Sequence, residues 1–331
     1  MRTSSLLPAN VASTQLRTLS FYLLTFLLIL LSSCSTTKAE PISSSHDPSL
    51  AASEQALMIG AFTYGGVWHG MDPIFELEST IGQKLSIVQW FMNWDHRWNT
   101  RLVTSASQHG RLPLIAWQPH NQSVTDIANG VHDDYILSWA HGAADFGSPI
   151  YLRPFPEMNG HWTSWNGNPE MMVAAWQRMV NIFDEAGAHN VKWVWSPNIT
   201  DEPAMQRNRM ELYYPGEDYV DILAMDGYNW GTSRIWSEWT SFEDTFAEAY
   251  GRIASLGEQP IWITEVASAE VGGNKGQWIT EMFNSTAFER LEAIIWFNEN
   301  KEADWRIDSS SSVLSAFREG LSSGLAIASV E

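Results

Sequence analysis

Cysteine is almost missing from this chain: Cys34 is the only one in 331 residues. A lone thiol excludes an intrachain disulfide framework and any cysteine-built metal site. Basic residues are scarce too, with 19 Lys and Arg against 38 Asp and Glu and a net charge of −19. A field of that sign repels phosphate backbones and anionic headgroups, which excludes nucleic acid as a partner. The apolar stretch Leu19 to Leu31 ("LSFYLLTFLLILL") is too short to cross a bilayer as an ordinary helix. A glycine-rich phosphate loop is also lacking after the first β-like run, which weighs against a doubly wound nucleotide-binding sheet.

What is present begins with an export leader. Arg2 and Arg17 precede the apolar stretch, and "LSSC" closes it with small residues. The lone cysteine at that boundary resembles the lipobox of bacterial lipoproteins, with cleavage before Cys34 and acylation of its sulfur. The alternative is a plain signal peptide with an incidental cysteine. Cleavage removes two arginines and no acids, taking the net charge from −19 to −21. Residues 1–33 are therefore expected to be a leader and 34–53 a small, polar tether. Residues 54–331 are then one domain, expected to be a monomer anchored to the bacterial cell envelope through lipidated Cys34.

Within that domain, eight short apolar runs recur: 57–62, 85–91, 112–117, 149–154, 191–195, 220–225, 260–264 and 291–297. They lack clean alternation, as strands buried on both faces do. Between them lie helical patterns such as Pro169–Ala186, with Met172, Ala175, Trp176, Met179, Val180 and Phe183 on one face and Gly187 as a stop. Phe242–Leu256 and Val313–Leu321 read similarly. Eight βα units, with starts 27 to 42 residues apart, predict an α/β chain folded as a (β/α)8 TIM barrel.

A barrel makes the strand ends informative, because its active sites lie at the C-terminal mouth. The ends carry Trp117 and His120 (strand 3), Arg153, Glu157 and Asn159 (strand 4), Tyr228 and Trp230 (strand 6), Glu265 (strand 7) and Trp296 (strand 8). Amides, aromatics and acids with little lysine make a sugar-binding inventory. Any one of the 18 tryptophans is nevertheless more often core than platform. Strands 4 and 7 lie nearly opposite across the mouth, so Glu157 and Glu265 can face one ligand. Glycoside hydrolysis needs such a pair, one carboxyl to protonate the leaving oxygen and one carboxylate to attack the anomeric carbon. Arg153 is placed to orient the site and Tyr228 to donate to Glu265. Taken singly, a glutamate is more often a solvated surface charge.

The stretches "LRPFPEMNGHWTSWNG", "YYPGEDYVDILAMDGYNWG", "PIWITEVAS" and "WFNENKEADWRIDSS" together resemble glycoside hydrolase family 26, retaining endo-β-glycanases on the (β/α)8 fold. The resemblance implies Glu157 as acid/base, Glu265 as nucleophile and Tyr228 beside it. It also implies a cleft wall of Asn159, Trp162 and Trp165, and a sugar platform at Trp296. Asp304, Arg306 and Asp308 are expected to brace the loop after strand 8. The family usually has "HEMNG" where this chain has Pro156 before Glu157. Proline offers no donor, and it is expected to push Phe155 toward an extended conformation. His120 and His161 are the candidates for the lost contact, with ordinary surface histidine as the alternative. The implied activity is endo-hydrolysis of mannan, with mixed-linkage β-glucan and β-1,3-xylan as rival substrates and no cofactor or metal required. A non-catalytic glycan-binding lipoprotein is the reading of a different class.

Overall fold

The structure is a computed structural model that describes residues 57–323 and, by backbone alone, 326–327. The expected leader, Cys34 and the tether lie outside the described residues.

Eight parallel strands close into a barrel: β1 (Leu57–Thr63), β2 (Ile87–Asn93), β3 (Leu112–Gln118), β4 (Ile150–Pro154), β5 (Val191–Trp195), β6 (Ile222–Asn229), β7 (Ile261–Ser268) and β8 (Leu291–Asn298). Each pairs with the next, and β1 closes the ring by pairing with both β2 and β8. A two-residue β9 (Ala326–Ile327) adds to the start of β1. The helices between them are α1 (Asp72–Ile81), α2 (Thr100–Ser107), α3 (Val124–Ala128), α4 (Asp133–Phe146), α5 (Pro169–Glu185), α6 (Phe242–Ala254), α7 (Lys275–Asn284) and α8 (Ser311–Ser322). The predicted (β/α)8 barrel is the observed fold.

The helices start and bury as their sequences dictate. Asn168 caps α5 by accepting from the Met171 amide at 3.3 Å, Pro169 takes the first turn, and the six predicted apolar positions are all buried. Inside the barrel the filling changes with height. Ile87, Leu114, Val194, Ala224, Trp262 and Ile295, with Tyr151 of β4 packed against them, form an apolar floor. Two residues further along the same strands the chemistry turns polar, with Gln89, Arg153, Ser196, Asp226 and Thr264, all buried. Period-2 alternation puts these directly above the floor and beneath the mouth.

The strands depart most from expectation at β6 and β7, which continue four residues beyond the predicted ends, to Asn229 and Ser268. Their pairing slips between Met225 and Asp226: Met225 pairs with Ile263, but Asp226 pairs with Glu265. Thr264 is the extra residue. A bulge of this kind turns consecutive side chains to the same side. Thr264 and Glu265 accordingly both bond to residues of the barrel interior.

Candidate active site

Arg153 organises the polar layer. It rises from β4 with 0% exposure and spends its guanidinium on four partners. Nε donates to Ser196 Oγ at 2.6 Å, Nη1 to Gln89 Oε1 at 3.0 Å and to Glu265 Oε1 at 2.9 Å, and Nη2 to Asp226. Asp226 is held from its other oxygen by Thr264 Oγ1 at 2.7 Å. Burial raises the Asp226 carboxyl above its usual range and the Arg153 charge works against that rise. A planar, always-charged fork suits a site where two buried acids must be matched at fixed angles. Of the two expectations for Arg153, its place in the sugar-binding inventory is corrected, because it lies buried beneath the mouth, where it bonds Glu265.

Glu265 faces the cleft because of the β7 bulge. Its second oxygen accepts from the Tyr228 hydroxyl at 2.7 Å. Burial, then the Glu265 charge, raises Tyr228 well above the ordinary phenol value, so it stays a donor. Packing against Phe297 at 5.9 Å and Trp305 at 5.1 Å sets the phenol ring.

Glu157 sits on the loop after β4 in a left-handed backbone conformation, φ 55°, and Phe155 is left-handed as well, φ 51°. The predicted extended Phe155 is therefore corrected. Non-glycine residues occupy this region only when surroundings enforce it. Here the Phe155 amide donates to Trp117 O at 3.3 Å and the Glu157 amide to Ser196 O at 2.9 Å. Trp165 Nε1 then clamps the Pro156 carbonyl between them at 2.9 Å. Buried Pro156, with φ already fixed, fits a segment held from three sides.

The Glu157 carboxyl accepts from Asn198 Nδ2 on one oxygen and from Trp162 Nε1 on the other, both at 2.7 Å. Burial, reinforced by the negative charge of Glu265, pushes it up to about 7, against the two hydrogen bonds and the more distant Arg153, which favour its charged form. The two glutamates thus sense each other electrostatically but are differently held. Glu265 is gripped by a cation and a phenol. Glu157 keeps its proton close to neutrality, the division of labour an acid and a nucleophile require. Trp162 is 49% exposed and folds over Gly160, where a Cβ would meet its ring at 2.4 Å.

Several residues expected in the cleft stand behind it. Asn159 is buried and ties Asn198 O and Asp201 through Nδ2 while its Oδ1 takes the Asn198 amide at 2.8 Å. It positions Asn198, which lies just beyond the end of β5. Trp117 is buried against Trp94 and Trp139, Trp165 against His120, and Trp296 donates inward to Trp305 O at 2.8 Å. The three tryptophan corrections share a cause: an indole N–H finds a backbone or side-chain partner within the shell of loops and helices, so the ring turns away from solvent. Trp230 remains half-buried beside Tyr228, and exposed His120 bonds Gln118 Oε1 at 3.3 Å. His161 is exposed beside Trp162. Arg306 clasps Asp304 within the loop after β8, the bracing expected of that pair, while Asp308 is exposed. Gln89, a single polar residue inside an apolar run, carried no local signal, whereas Ser196 and Asp226 lie just past the ends of theirs.

Comparisons with known proteins agree with this geometry. Residues 118–267, which run from the last residue of β3 into β7 and include both glutamates, match the model of glycosyl hydrolase family 26. Endoglucanase H of Acetivibrio thermocellus is 41% identical over 276 residues, covering 78% of this chain and 30% of that protein. A mannan endo-1,4-beta-mannosidase A and B of Caldalkalibacillus mannanilyticus is 33% identical over 93 residues, 25% of this chain and 17% of that protein. The chain therefore spans less than a third of the length of these two relatives. Among solved structures, GH26A from Muricauda sp. MAR_2010_75 superposes with a TM-score of 0.61 at 18% identity, over 83% of this chain and 92% of that one, a likeness of fold. By that match, residues 118–267, which hold both glutamates, carry the pattern of glycosyl hydrolase family 26.

Proposed function

We propose that the domain is a retaining endo-β-glycanase. The observation that carries this reading is the unequal holding of two facing glutamates. Glu157 is pushed up to about 7 beneath Trp162, while Glu265 is bonded by Arg153 and Tyr228. In the first step Glu157 gives its proton to the glycosidic oxygen as Glu265 attacks the anomeric carbon, breaking that C–O bond and forming a glycosyl ester. In the second, Glu157, now a carboxylate, takes a proton from water, which displaces Glu265 and restores both groups.

Of the backbones, β-glucan has the broader support. The likeness to an endoglucanase runs over 276 residues, against 93 for the mannosidase above, and Pro156 stands where the family's histidine is usual. Mannan, the backbone expected from the sequence, is the second reading, favoured by the mannosidases among the relatives and by mannanases among the structural neighbours. The export leader and acylated Cys34 complete the proposal. Incorporation of labelled fatty acid that survives Cys34→Ala would remove that part.

The test of the chemistry is a pair of variants. Glu265→Ala and Glu157→Ala should each lower kcat by about 10²–10⁴-fold or more. Azide should restore turnover in Glu265→Ala and yield the inverted glycosyl azide. Native-like hydrolysis by either variant would end the assignment. Product sizes from β-glucan, mannan and β-1,3-xylan decide the backbone.

A further inference from the structure

The loop between β6 and α6 carries aromatic surface out beyond the catalytic pair. Trp236 is 68% exposed, and Ile235 beside it is exposed in full. Large apolar side chains held into solvent side by side mark contact sites more often than accidents. Trp236 is also not isolated. Its ring stands edge-on to Trp230 at 5.3 Å, Trp230 packs on Trp305 at 4.9 Å and on Tyr228 at 6.2 Å, and Tyr228 bonds Glu265. A file of rings therefore runs from the candidate nucleophile to the rim.

The outer end of that file is fixed in place. Arg234 lies over the Trp230 ring at 5.4 Å while its Nη2 donates to Glu302 O at 2.9 Å. Ser237 Oγ donates to Gly231 O at 2.8 Å, and the Thr232 amide to Val271 O at 2.9 Å. Gly231 permits the close crossing: a Cβ there would meet Val271 O at 1.9 Å. Arg234 of this loop also lines a cavity of about 340 Å³, together with Ser233, Glu270, Glu302 and Ser309 among others, while Trp236 stands two residues further along the loop, outside that lining. A flat apolar face next to convergent polar groups fits one kind of ligand well. A β-linked pyranose lays its C–H face on a ring and turns its hydroxyls to donors and acceptors. Because the loop is already braced, little ordering entropy is lost when a sugar lands there.

We propose that Trp236 and this cavity form a distal subsite for one sugar ring of the same glycan chain that threads the catalytic pair. The proposal rests on the endo-glycanase reading, and it makes the enzyme favour long chains over short ones. Trp236 touches no reacting atom, so its contribution falls on binding of the extended chain.

The experiment compares kcat/KM on the polysaccharide that the native protein cleaves with kcat/KM on the matching tetrasaccharide. Trp236→Ala should lower the ratio of the two by about tenfold, the factor that 1.4 kcal/mol represents, and chiefly through KM on the polymer. Trp236→Tyr, which keeps a flat ring, should restore most of it. A parallel fall on both substrates, or no change on either, overturns the subsite. Should the native protein cleave no glycan, the catalytic reading fails by itself. Quenching of tryptophan fluorescence by β-gluco- and β-manno-hexasaccharides then decides the subsite. Quenching lost in Trp236→Ala supports it, and quenching equal in the two proteins or absent from both overturns it.

Discussion

Arg153 Nη1 donates to Glu265 Oε1 at 2.9 Å from a position with no solvent contact, while the same side chain holds Asp226. Removing one partner of such a buried cluster leaves the others charged and unpaired, at a cost of about 3–5 kcal/mol. Arg153→Met should therefore lower the melting temperature and most of the activity together. Arg153→Lys keeps the charge but loses the fork, so it should retain more stability while kcat still falls. Thermal melts of both variants check this. A native-like melt for Arg153→Met would show that the cluster does not hold the barrel mouth.

Trp162 Nε1 bonds Glu157 at 2.7 Å and favours its charged form. A general acid must be protonated, so activity should fall as pH rises through about 7, the value to which Glu157 is pushed. Trp162→Phe keeps a ring but removes the donor, which raises the carboxyl further. The alkaline limb of the kcat profile should then move up by about one pH unit, the size expected for one hydrogen bond to a charged group. An unmoved or lowered limb contradicts the assignment of Glu157 as the acid.

Tyr228 donates to the other oxygen of Glu265 at 2.7 Å, and its ring is set by Phe297 and Trp305. Tyr228→Phe leaves that packing and deletes one bond to the nucleophile. We expect kcat and kcat/KM to fall together by about 10–100-fold, the equivalent of 1.5–3 kcal/mol. A rise in KM with kcat unchanged would instead make Tyr228 a substrate contact.

Much of this was legible in the sequence because barrels repeat one pattern. Eight apolar runs at βα spacing gave the fold, and its rule that chemistry sits at strand ends drew Glu157, Tyr228 and Glu265 out of many polar residues. What stayed hidden depends on contacts far apart in the chain. Arg153 finds Gln89, Ser196, Asp226 and Glu265 only once five strands have closed. The β7 bulge that turns Glu265 inward leaves no mark in "PIWITEVAS". Burial of Trp117, Trp165 and Trp296 follows from loops and helices packed over them. At Phe155, tertiary hydrogen bonds overrode the local preference before proline.

The raised Glu157 carboxyl has a consequence for stability as well as catalysis. In the unfolded chain the group releases its proton near its ordinary value of 4.5, whereas in the native protein it holds the proton up to about 7. Between those values the folded state binds more protons, so its stability falls as pH rises through the window. The loss is complete above about 7 and is on the order of 3 kcal/mol at 1.36 kcal/mol per unit. Glu157→Gln cannot ionise and escapes the penalty, while its amide still fills the same space. Below pH 4.5 the native acid and the amide are both neutral, and their melting temperatures should nearly coincide. Above pH 7 the inactive variant should melt several degrees higher than the native protein. Melts at pH 4 and pH 8.5 measure the difference. A gap that is constant across that range would mean that the acid's proton affinity is not raised by folding, and the unequal holding of the two glutamates would lose its energetic basis.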